Sequence, residues 1–229
     1  MSVIKAKGNE AKENANKRSI NVKETLLRLK EGQSHKVRLL SADDYVEYQA
    51  SGDYNLGIYN QPVADDSPLL VAHKHGGEKF KDLYKKSRYT FVFASLETGK
   101  LVALDVSPNQ AKTLFSNIDE YEEVLGEVAF NLKRTGGKNA SYSLNPIIKM
   151  KAEEQEAFNK FDGQAVELAF YEALLQPKSD DFVARLLKEA GFDVETYLPH
   201  ITIQELDTDG EDVKPINEDD EGEELLAQI

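Results

Sequence analysis

Between Ser34 and Ile147 the chain reads as a succession of short strands with one helix among them, and few architectures accept that order. Ser34-His35-Lys36-Val37-Arg38-Leu39-Leu40 alternates basic with apolar, the pattern of a half-buried strand whose wet face carries Lys36 and Arg38. Tyr45 to Leu70 mixes tyrosines with turn residues, so strands are expected there without a readable register. Arg88 to Ala94 and Lys100 to Val106 are apolar runs joined by Leu96-Glu97-Thr98-Gly99, the clearest hairpin in the sequence. A second hairpin is expected from Glu127 to Arg134 and Ala140 to Ile147, turning at Thr135-Gly136-Gly137-Lys138-Asn139. Val128, Phe130 and Leu132 alternate inward on its first arm, Tyr142 and Leu144 on its second. Between the hairpins, Ser107-Pro108-Asn109-Gln110 opens a helix: Ser107 is the N-cap, Pro108 takes the first helical position, and Gln110 closes a capping box. Ala111, Leu114, Phe115, Ile118, Val124 and Leu125 then share a face. Five or six strands with a helix in one connection fit a small barrel. The expected class is mainly β with added helices (α+β), and an OB-fold-like barrel with an inserted helix and C-terminal helices leads.

The flanks are simpler. Asn21-Val22-Lys23-Glu24 reads as a capping box, with a short helix running to about Lys30 and stopping near Gly32. His73 to Ser87 is basic and reads as a long loop opened by Gly76-Gly77. Residues 152–176 read as mainly helical, interrupted at Gly163, and Ser179 caps a helix through Phe182, Val183, Leu186 and Leu187 that ends at Gly191. The apolar pattern fades after Thr202. The expected organisation is a basic flexible arm over 1–20, one domain over 21–204 and an acidic disordered tail over 205–229.

Charge distribution carries more than the total. The chain bears −13, which on its face argues against a polyanionic partner. Yet Glu205 to Ile229 holds eleven acidic residues and one lysine, most of that excess. Residues 1–38 hold ten Lys/Arg against four Asp/Glu, residues 74–88 six against two, and residues 133–151 five against none. Basic segments on a nearly neutral body suit a phosphate backbone. With no cysteine, disulfides and thiolate metal sites are excluded, and no apolar run approaches the roughly 20 residues of a bilayer span. No signal-peptide core precedes Lys30, so a soluble protein of the cell interior is expected.

Single-strand binding without sequence preference needs a positive groove and aromatic faces on which bases stack. Six of the ten tyrosines fall between residues 45 and 89, beside the basic segment. The candidate cations are Lys36, Arg38, Lys74, Lys79, Lys81, Lys85, Lys86, Arg88, Lys133, Arg134 and Lys138. The candidate stacking residues are Tyr48, Tyr54, Tyr59, Phe80, Tyr84 and Tyr89. Each could equally be a solvated charge or, for Tyr89 and its strand neighbours Phe91 and Phe93, a core ring. In the tail, Glu218, Asp219, Asp220, Glu221, Glu223 and Glu224 precede an apolar tip that includes Leu225, Leu226 and Ile229, a pattern suited to a partner pocket with a basic rim. No P-loop, Gly-x-Ser-x-Gly or His-Glu-x-x-His occurs, and His73, His75, His35 and His200 have no metal-ligand spacing. Neither an enzyme nor a cofactor is expected. The rival expectation is a phage adaptor or inhibitor that binds no nucleic acid and whose acidic tail mimics DNA.

The strand Lys36-Val37-Arg38-Leu39-Leu40, the Thr90-Phe91-Val92-Phe93 hairpin, the turn Lys133-Arg134-Thr135-Gly136-Gly137, the segment Ala140-Ser141-Tyr142-Ser143-Leu144 and the acidic terminus together resemble bacteriophage single-stranded DNA-binding proteins. The resemblance spans most of residues 30–229. It implies an OB-fold, self-association while coating single strands in the cytoplasm of an infected bacterium, and tail contacts with replication, recombination or repair proteins. The chain departs from some phage relatives in having no Cys for a zinc site, and from bacterial counterparts in its tail ending.

Overall fold

The computed structural model describes residues 20–137 and 139–203. In chain order the elements are α1 (Val22–Thr25), β1 (Ser34–Arg38), β2 (Tyr45–Asp53), β3 (Ile58–Pro62), α2 (Pro68–His75), β4 (Lys86–Ser95), β5 (Leu101–Val106), α3 (Pro108–Tyr121), β6 (Phe130–Thr135), β7 (Ser141–Pro146), α4 (Ala152–Asn159), α5 (Leu168–Leu174), α6 (Asp180–Glu189) and α7 (Val194–Tyr197). The fold is mixed α and β on a strongly curled antiparallel sheet, a half-barrel. Internal contacts divide the chain into two compact units. Among the described residues, one takes 20–47 and 89–174, the other 48–88 and 175–203.

In the first unit the strands run β5-β4-β1-β6-β7, all antiparallel. Register sorts the side chains. Val37 faces Phe130, His35 faces Leu132, and Leu132 faces Leu144 on the core side. On the opposite side Ser34 pairs with Lys133, Lys36 with Asn131, Lys133 with Ser143 and Asn131 with Asn145. A slip of one residue would exchange the two sets. The core gathers Val37, Leu39, Phe91, Phe93, Leu104, Leu114, Phe130 and Leu132.

Helix α3 closes that core as its sequence foretells. The Ser107 backbone N–H donates to Gln110 Oε1 at 2.8 Å, and Gln110 Nε2 donates to the Ala140 carbonyl at 3.2 Å. Two turns further along, Asn117 Oδ1 accepts the Leu144 backbone N–H at 2.9 Å, satisfying an outward donor of β7. Helix α4 packs elsewhere: Phe158 is 3% exposed in a small cluster with Leu96 and Ala129, flanked by Ile147, Met150 and Ala157.

The second unit is built on the β2–β3 pair and helices α2, α6 and α7. Ile58, Leu69, Ala72, Phe80, Leu83, Val183, Leu187, Phe192 and Leu198 form its core. Gly52 is obligatory here, because a Cβ would sit 2.5 Å from the Asn60 backbone nitrogen.

Three expectations change. The basic stretch from His73 is not one loop. Its first residues complete α2, capped by the Ser67 side chain accepting the Leu69 N–H at 3.4 Å, and a 3₁₀ turn follows over Gly77–Phe80. The N-terminal helix stops at Thr25, because Leu26 bridges to Ala103 and the Leu27 N–H donates to the Ala103 carbonyl at 2.8 Å. A backbone donor committed to β5 cannot serve another helical turn. The described strands number seven rather than five or six.

Candidate nucleic-acid interface

The polar side of β1, β6 and β7 forms a wide-mouthed cleft of about 570 Å³, lined by Gly32, Ser34, Asn131, Lys133, Thr135, Ser143 and Asn145. Strand alternation puts these small polar side chains on one surface. None of the seven carries a carboxylate, and Lys133 is exposed. Asn145 Nδ2 donates to Ser143 Oγ at 3.1 Å, which orients the amide within the row. Amides, hydroxyls and one ammonium can hold phosphate and sugar oxygens.

Lys36 and Arg38 extend the same face of β1, and α4 with the residues after it meets them there. Lys36 Nζ lies 2.6 Å from Glu154 Oε1. That bond holds the Lys36 ammonium above its ordinary range and the Glu154 carboxyl below its own. Arg38 Nη1 donates to the Phe158 carbonyl at 2.6 Å and to Asp162 at 2.7 Å, while its guanidinium lies 4.0 Å from the Phe158 ring centroid. Arg38 is buried, as is Arg134, whose Nη1 donates to the Leu29 carbonyl at 2.8 Å. Tyr89 is half-buried edge-on against Phe115, centroids 5.4 Å apart. Burial, then Glu47, pushes its hydroxyl up.

The remaining described candidates lie in the second unit. Tyr84 is 48% exposed, with Lys86 Nζ 5.0 Å from its ring centroid and the His73 ring 6.3 Å away. Lys86 also donates to the Gly52 carbonyl at 2.7 Å, and burial lowers its pKa. Tyr54 is 49% exposed and leans on Tyr59 at 6.0 Å. Tyr48 is half-buried. Lys74, Lys79, Lys81 and Lys85 are exposed; Lys81 pairs with Glu78 and Lys85 with Asp65. Arg88 is buried, and Phe80 is a core ring packed on Phe192. Lys138 and the tail residues 218–229 lie outside the described residues.

The structure thus gathers Lys133 with a row of neutral polar residues on one sheet, and Tyr84, Lys86 and His73 around one loop. Ser34, Asn131, Thr135, Ser143 and Asn145 drew no attention as sequence, although their alternation with Leu132 and Leu144 was the available signal. Among the described residues no group of three His, Cys, Asp or Glu could hold a metal ion, and no helix is long and apolar enough to cross a membrane. No protein-family model and no curated protein matches the chain.

Proposed function

We propose that the protein binds single-stranded DNA without sequence preference and catalyses nothing. The observation that carries this is the cleft on β1, β6 and β7: open, polar, free of carboxylates in its lining, with the Lys133 ammonium in it. Such a surface suits a flexible phosphodiester chain. The exposed rings of Tyr54 and Tyr84 add faces for stacking. The curled sheet is compatible with an OB-type barrel. In this role the protein coats exposed strands during phage replication, recombination or repair in a bacterial host cytoplasm. Copies associate along the strand, and the acidic terminus recruits partner proteins.

Fluorescence polarisation with oligo-dT against duplex of equal length tests the proposal. Oligo-dT binds more tightly, and its affinity falls steeply with salt. In Lys133→Ala binding weakens and the logarithmic salt slope shrinks by about 0.7, the loss of one neutralised phosphate. Preference for duplex, or no binding at any salt, overturns the proposal.

A further inference from the structure

An aromatic row in the second unit climbs from the core to the surface. Phe80 and Phe192 meet edge-on with centroids 5.4 Å apart, and both are buried. Phe192 stacks on Tyr197 at 5.5 Å with planes 28° apart, and Tyr197 stacks on His75 at 4.9 Å with planes 21° apart. Tyr197 is 41% exposed, and the imidazole at the end of the row is exposed. Two elements build this end. Helix α2 finishes on His75, and α7, started by Asp193 accepting the Thr196 N–H at 3.1 Å, finishes on Tyr197.

The core does not require the outer two rings. An offset stack of near-parallel planes that ends in water presents the surface on which another flat ring can continue the series. The charges nearby suit an anion-bearing ring. Lys74 adjoins His75 and is exposed, and Lys79 is exposed at the Phe80 end of the row, its Nζ 5.7 Å from that centroid. Among the described residues neither lysine forms an ion pair, whereas Glu195 is paired with Lys188 and Glu78 with Lys81. A planar base carrying a phosphate meets both conditions.

We infer that the His75–Tyr197 pair is a stacking platform for a nucleobase of single-stranded DNA, with the adjoining Lys74 serving its phosphate. The inference rests on the proposed function but uses none of the residues of the first unit's cleft.

The test is oligo-dT binding by the full chain at pH 8. His75→Ala lowers affinity by between about fivefold and 150-fold, the range for losing one stacked base. His75→Phe, which keeps a flat ring, stays near the parent protein, and neither change alters the salt slope. An oligonucleotide carrying 5-iodouracil gives a photo-crosslink on His75 or Tyr197, read by peptide mass spectrometry. That readout uses the parent protein and depends on no variant's folding. Parent-like binding by His75→Ala, or equal loss in the Ala and Phe variants without a crosslink on either ring, overturns the platform. If Lys133→Ala weakens binding while His75→Ala does not, the cleft stands and the platform falls. The opposite result keeps the platform and removes the cleft. A parent protein that binds no oligo-dT removes both.

Discussion

Asp44 illustrates how one residue ties the fold to solution conditions. It is 6% exposed in the connection between β1 and β2, where its Oδ2 accepts the Ser41 N–H at 2.7 Å. Burial pushes its carboxyl up to about 6, the Ser41 and Leu40 backbone donors pull it back, and Asp43 adds a smaller upward push. The Tyr171 hydroxyl, also buried, is raised chiefly by desolvation and then by the Asp44 charge. In the unfolded chain the carboxyl titrates near its ordinary value of 3.8. Between those values the folded state holds a proton that the unfolded state has released. This group's contribution is therefore most favourable below about pH 4, declines as pH rises to about 6 and is constant above. Asp44→Asn keeps an acceptor for Ser41 and removes the buried charge. At pH 7 it gains on the parent by an amount on the order of 3 kcal/mol, and the gain shrinks towards pH 4. Urea unfolding at several pH values reads the difference; parallel pH profiles would contradict it. At this scale the polar face of β1 was legible, because Lys36 and Arg38 alternate with Val37, but Arg38 is buried against Phe158 instead of facing solvent. Their partners Glu154 and Asp162 were not: they stand more than 110 positions away, and only packing selects them.

Elements differ in how they are held. The β6–β7 hairpin was readable because its apolar residues alternate and its turn supplies Gly136 at a φ of +76°, a conformation that glycine adopts without strain. Helix α2 was missed because Gly76-Gly77 and the surrounding lysines masked its start at Ser67-Pro68. Helix α4 was expected, but its seat was not. It rests on β1 through the Phe158 ring, the Arg38 guanidinium and the Lys36–Glu154 pair. Phe158→Ala removes the central anchor, at a cost of about 3 kcal/mol. Hydrogen exchange should then accelerate across Ala152–Asn159, while amides of β1 and β6 keep their protection. Equal acceleration in the sheet would mean that α4 and the sheet unfold as one unit.

At the scale of the whole molecule, charge segregation organises behaviour. The terminus from Glu205 concentrates the acidity, and the remainder is close to neutral. An anionic segment tethered to a DNA-binding body competes for the same cations, most effectively where screening is weak. Deleting residues 205–229 should tighten oligo-dT binding at low salt and leave it little changed at high salt. A salt titration of both proteins decides, and superimposable curves would remove the competition. The charge segregation was legible at this scale, because charge is additive along a sequence. The division into two units was not, because two of its boundaries fall inside β2 and β4, where no linker marks them. The bond from the Leu144 N–H to Asn117 has a consequence for crowding. Proteins that coat a strand stand shoulder to shoulder, and a bare strand margin under those conditions templates runaway β-pairing between neighbours. Asn117 stoppers one rung of that margin. Asn117→Leu fills similar space but leaves the amide open, so concentrated samples should show a slow rise in light scattering that the parent protein does not. In the proposed role, association of copies then stays reversible and follows the strand that assembles them.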